Sequence, residues 1–204
     1  MIVSRDYEDL EILHENTMPA RSYYIPASKR MDDLVEHREQ SDRIQFLNGI
    51  WKFRYFDSIY NVKEVFYKEE FDADGYADMK VPGLWQNAGY DSHQYTNIKY
   101  PFPFDPPYVP QDNPCGAYVY DFEYTKDIKA PKAFLNFEGV DSCFYVWING
   151  EYVGYSQVSH ATSEFDVTEL VKEGKNRIAV LVLKWCDGSY LEDQDKFRMS
   201  GIFR

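Results

Sequence analysis

The sequence predicts an all-β fold, a jelly-roll β-sandwich with a long Pro-rich loop and an extended N-terminal arm. Three observations point there. Apolar and aromatic residues recur in strand-length runs, several with the period of two that puts alternate side chains on one face. Asn149-Gly150 separates two such runs, the strongest short hairpin signal in a sequence, and Asn48-Gly49 marks a turn before another. Short strands joined by turns, with almost no helix-period segment, describe a sandwich, and the long connections favour jelly-roll crossings.

Taken in order, residues 1–43 are polar and weakly periodic. Tyr23-Tyr24-Ile25-Pro26 is extended, since proline disfavours helix at the residue before it. Met31 to Arg43 carries Asp32, Asp33, Glu36, Arg38 and Glu39 and reads as a solvated arm or short helix. The arm, 1–43, is expected to wrap the domain or contact a partner, and 44–204 to form the sandwich. Residues 47–56 make a strand after the Asn48-Gly49 turn. Between 82 and 114 stand Pro82, Pro101, Pro103, Pro106, Pro107, Pro110 and Pro114, which cannot donate to a ladder. This is one long loop, of a length that is commonly functional.

Tyr118, Tyr120, Phe122 and Tyr124 alternate on one face of the next strand, and Ala133 to Phe137 gives another. Phe144 to Ile148 and Tyr152 to Tyr155 flank Asn149-Gly150-Glu151 as a hairpin. Ser163 to Asp166 reads as a short strand and Thr168 to Val171 as a helical turn ended by Gly174. Ile178 to Leu183 is apolar at every position and predicts a central strand buried on both faces. There is no internal repeat.

Composition narrows the function. A hydrophobic share of 44% supports a packed core, and 18% aromatic residues suit strand packing first. A net charge of −12 without a Lys/Arg cluster excludes a nucleic-acid surface and fits a neutral substrate. Cys115, Cys143 and Cys186 are odd in number, irregularly spaced and in no CxxC, which argues against a disulfide framework or zinc site. Met1 to Asp6 turns polar at once, unlike a secretory signal, and no apolar run approaches the ~20 residues of a membrane helix. The expected location is cytoplasmic.

The stretch from Asp187 to Arg204 concentrates acids: Asp187, Glu192, Asp193 and Asp195. Glycoside hydrolysis needs two carboxylates, one protonated and one ionised. With 34 acids in the chain, such a cluster arises readily. Along an extended segment Asp193 and Asp195 share a face while Glu192 points away, a poor catalytic pair. The same groups suit either a hard cation held with loop carbonyls and water, or a solvated acidic loop. Gly139, Gly150 and Gly154 fit no phosphate-binding motif. His14, His37, His93 and His160 lie in polar contexts without a GxSxG nucleophile elbow. The aromatic loop Tyr95 to Phe104, with Asn97 able to donate and accept, either lines a sugar site or covers the sandwich.

These residues carry a resemblance. LNGIWKF (47–53), VPGLWQNAGYD (81–91), YTNIKYPFPFDPPYVPQDNPCGAYVYDF (95–122), FEGVDSCFYVWINGEYVGYSQVS (137–159) and the segment 163–204 stand in sustained order. From about Leu47 the chain resembles the N-terminal sugar-binding domain of the β-galactosidases of glycoside hydrolase family 2; residues 1–46 match more loosely. DGSYLEDQD followed by SGIFR resembles that branch more than the glucuronidases or mannosidases.

The resemblance implies a galactose-binding-like jelly roll, followed in the family by an immunoglobulin-like domain and a TIM barrel. The barrel holds both catalytic glutamates of a retaining hydrolase of terminal β-D-galactosides such as lactose. It implies no catalytic residue here, and two substrate-binding ones: Asn97 of YTN and Asp195 of LEDQD. Asp195 is also the implied ligand of a sodium or potassium ion, with magnesium ligands mostly elsewhere in the full-length enzyme. Phe197 stands where the family usually has Trp. The implied partners are the β-galactoside, the barrel and further copies of the full-length chain, with no nucleic acid or membrane. On this reading the chain alone is inactive and its end at Arg204, without turn or cap, lies inside a longer polypeptide. A free-standing lectin-like carbohydrate-binding module and an assembly domain are the competing expectations.

Overall fold

The run Ile178 to Leu183 decides the architecture, because a strand apolar at every position needs cover on both faces. The computed structural model describes residues 1–192 and 194–204. Its strands are β1 (His14–Glu15), β2 (Gly49–Phe56), β3 (Ala77–Val81), β4 (Gln94–Thr96), β5 (Cys115–Tyr124), β6 (Phe134–Phe137) and β7 (Val140–Asp141). Then come β8 (Cys143–Ile148), β9 (Glu151–Ser156), β10 (Ser163–Asp166), β11 (Gly174–Leu183), β12 (Lys196–Arg198) and β13 (Gly201–Ile202). The one α-helical turn among the described residues is α1 (Ser189–Glu192).

One antiparallel sheet has the order β1-β9-β8-β11-β5-β2-β3, with β11 at its centre. Ile178, Val180 and Val182 point into a cluster with Trp51, Trp85, Tyr118 and Phe144. The pairs β10-β6 and β13-β7 cover that face through Phe165, Phe137, Ile202 and Val140. Ala179, Leu181 and Leu183 point the other way, onto Tyr7, Phe66, Tyr145, Trp147 and Trp185. Burying one such Leu or Val contributes about 1.5–3 kcal/mol, so β11 feeds two cores at once. The mostly-β sandwich is therefore as the sequence predicts. The Asn149-Gly150 turn also forms as expected, with φ of 52° and 83° joining β8 to β9.

The N-terminal arm packs on the domain: Tyr7 is 2% exposed in the core and β1 pairs with the edge strand β9. An otherwise open sheet edge accepts it. Two expectations need correction. The loop 82–114 contains β4, which finds its ladder partner in β12. The acidic stretch is not extended, since α1 coils Ser189 to Glu192 and Asp195 takes φ 51°; Asp193 lies outside the described residues. No helix among the described residues is long and apolar enough to cross a membrane.

Candidate functional site

The site grows from the three-residue ladder of β4 and β12, which pairs Gln94 with Arg198, Tyr95 with Phe197 and Thr96 with Lys196. Asn97 directly follows β4 and Asp195 directly precedes β12, so two residues far apart in sequence flank the same end of the ladder. Tyr95 and Asp195 are diagonal neighbours, within reach for a long side chain. The Tyr95 hydroxyl donates to Asp195 Oδ1 at 2.5 Å. That bond is the largest influence on the phenol and pushes its pKa up, while Asn97 opposes it. The Tyr95 ring lies 5.1 Å from that of Phe197. Tyr95, Asn97, Asp195 and Phe197 are all exposed.

The bases of both strands are anchored by buried charge. Asp141, 2% exposed, accepts from Lys196 Nζ at 2.6 Å and from the Arg198 guanidinium, itself 1% exposed. Arg198 also reaches Ser142 Oγ at 3.1 Å and lies over the Trp185 ring. Asp91, three residues before β4, accepts from buried Lys184 Nζ at 2.5 Å. Buried charges require such partners.

The other acids have structural partners. Glu192 accepts from the Ser159 backbone N at 3.0 Å and from its hydroxyl at 2.9 Å. Asp187 is 5% exposed, and burial pushes its carboxyl up to about 6 against hydrogen bonds from Gln157 and Gly188. Its backbone N–H donates to Tyr7 of the arm, so it belongs to the arm's packing. No local pattern marks this perturbed carboxyl, because the Tyr7 segment packed against it is distant in the chain. In the aromatic loop, Phe102 packs on Trp185 and Tyr190, and the Tyr190 hydroxyl donates to Tyr108 O at 2.5 Å. That part of the loop covers the core; Tyr95 and Asn97 at its start face solvent.

For a cation, the donor chemistry decides. Carboxylate, phenol and amide oxygens are hard donors, which fit sodium or potassium and not a soft metal. Among the described residues no three His, Cys, Asp or Glu converge as a metal cluster. Asp195 thus offers one anionic ligand, with the rest to come from water or outside these residues.

Comparison with known proteins gives the site a context. The family model for the glycosyl hydrolases family 2 sugar binding domain matches residues 44–204. A β-galactosidase of Actinobacillus pleuropneumoniae is 51% identical over 204 residues, covering 100% of this chain. One from Staphylococcus xylosus is 49% identical over 205 residues. The chain spans about a fifth of the length of these curated relatives, 20% in each case. Among solved structures, a β-glucuronidase from an uncultured Clostridium sp. is similar in fold, with TM-score 0.50 and 23% identity. That match covers 69% of this chain and 22% of that one.

Proposed function

Because the chain belongs to glycoside hydrolase family 2 through that family's sugar-binding domain, we propose that it is the N-terminal domain of a retaining β-galactosidase. It presents Asn97 and Asp195 to the galactose subsite. The catalytic glutamates stand on a TIM barrel further along the full-length protein, and most magnesium ligands lie there too. One carboxylate attacks the anomeric carbon and the other acts as acid, then base. In this reading residues 1–43 are the arm and 44–204 the sugar-binding unit, and the full-length protein assembles as a homo-oligomer in the cytoplasm.

The observation that carries the reading is the ladder of β4 and β12, at one end of which Asn97 and Asp195 stand on an exposed tip, with the Tyr95 hydroxyl donating to Asp195. A neutral sugar is held by directional hydrogen bonds, and bonds that strengthen in the transition state accelerate chemistry on a neighbouring domain. Asp195 would hold sodium or potassium, which supplies an electrophilic contact for a sugar hydroxyl. The near-50% identity to proteins named β-galactosidase supports galactoside over other glycosides.

In the full-length protein Asp195→Ala is expected to lose on the order of a hundred-fold in kcat/KM, since charged hydrogen bonds contribute about 1.5–3 kcal/mol each. Its dependence on sodium goes with it. An unaffected variant removes Asp195 from the site. Micromolar binding of galactose by the 204-residue chain alone would favour the lectin-like module instead.

A further inference from the structure

We propose that Tyr95 is a positioning residue that fixes the orientation of Asp195, so that its second carboxylate oxygen faces the ligand. The inference rests on the galactosidase reading and deepens it. A phenol has one proton. That proton goes to Asp195 Oδ1, at 2.5 Å. The second oxygen of Asp195 is then left to accept from a ligand.

Three features make Tyr95 suited to this. The ladder register places it diagonal to Asp195 and directly opposite Phe197. Its ring packs on Phe197 at 5.1 Å, which restrains the phenol. Phenol-to-carboxylate bonds are charge-assisted and stronger than neutral ones. An exposed Asp without such a bond would rotate freely. With it, the second oxygen of Asp195 accepts from a sugar hydroxyl or ligates a hard cation. A carboxylate-bearing sugar meets the charge of Asp195.

The test uses the full-length protein as wild type, Tyr95→Phe, Asp195→Asn and the double variant. Turnover is measured on a chromogenic β-galactoside and the matching β-galacturonide, and sodium affinity by sodium NMR relaxation. Tyr95→Phe is expected to raise KM for the galactoside and weaken sodium binding about ten-fold, the low end for a bond to a charged group. It should also narrow the preference for galactoside over galacturonide and leave the unfolding midpoint unchanged. In the Asp195→Asn background the same change should add less than about two-fold, because the two residues act as one unit. Tyr95→Phe within about two-fold of wild type in KM and sodium affinity overturns the proposal, as do effects that simply multiply. A wild type that turns over no galactoside overturns the galactosidase reading alone; sodium affinity in Tyr95→Phe then decides the role of Tyr95.

Discussion

Replacing Asp141 by alanine is expected to cost the fold more than any change at the exposed site it supports. Asp141 is 2% exposed and stands between Lys196 and Arg198, both on β12. Without it the buried Arg198 guanidinium, 1% exposed, loses its bond to the Asp141 carboxylate. Breaking a buried pair in this way costs about 3–5 kcal/mol. The contact of Arg198 with Ser142 and its place over Trp185 remain, which argues for the lower half of that range. At a urea m-value of about 2–3 kcal/mol/M the midpoint should fall by more than about 1 M. The assay is urea unfolding followed by tryptophan fluorescence, with Asp141→Leu/Arg198→Met as the control. Removing both charges for apolar groups of similar size should recover at least half of the loss, since such replacements are often neutral. A loss below about 1 kcal/mol for Asp141→Ala, or a double variant no better than the single, refutes the reasoning.

Two further outcomes follow from other contacts. A Cβ at Gly154 would sit 2.3 Å from Glu15 O and 2.8 Å from the Phe165 ring. Gly154→Ala should therefore push β1 off the sheet edge and destabilise by about 1–3 kcal/mol; limited proteolysis should cut faster near residues 14–20, and an unchanged rate counts against it. The Asp121 carboxyl is held low chiefly by its forked bond to Arg177, at 2.7 and 3.0 Å. Its contribution is thus present above the unfolded carboxyl value of about 3.9 and lost as pH falls through the lower folded value. Asp121→Asn should cost about 1 kcal/mol at pH 7, a figure held down by its partial exposure, and converge on wild type as pH falls through the lowered folded value. A gap that persists in acid contradicts this assignment.

Much of the fold was legible because its signals are local. The alternation of Tyr118, Tyr120, Phe122 and Tyr124, the Asn149-Gly150 turn and the unbroken apolar run to Leu183 each specify a strand without reference to distant residues. Other parts depend on contacts that no window contains. Tyr7 sits among polar neighbours, and only the sheet built later in the chain buries it. β4 is three residues long in a proline-rich loop and exists through β12. The carboxyl of Asp187 is perturbed by packing against the arm. The site divides in the same way. Asn97 and Asp195 were named by resemblance to a family; Tyr95 between them was not, because a tyrosine in an aromatic loop carries no mark of the bond it makes across a hundred residues.

The ladder of β4 and β12 has the mechanics of a double cantilever. Its base is clamped by Lys184 on Asp91 and by Arg198 and Lys196 on Asp141, while its tip projects Asn97 and Asp195 into solvent. Such a beam separates two tasks. The clamps set where the tip stands relative to the sandwich, and the tip residues set what it touches. The tip can therefore change without disturbing the core, whereas any shift at the clamps moves Asn97 and Asp195 together and leaves their mutual spacing intact.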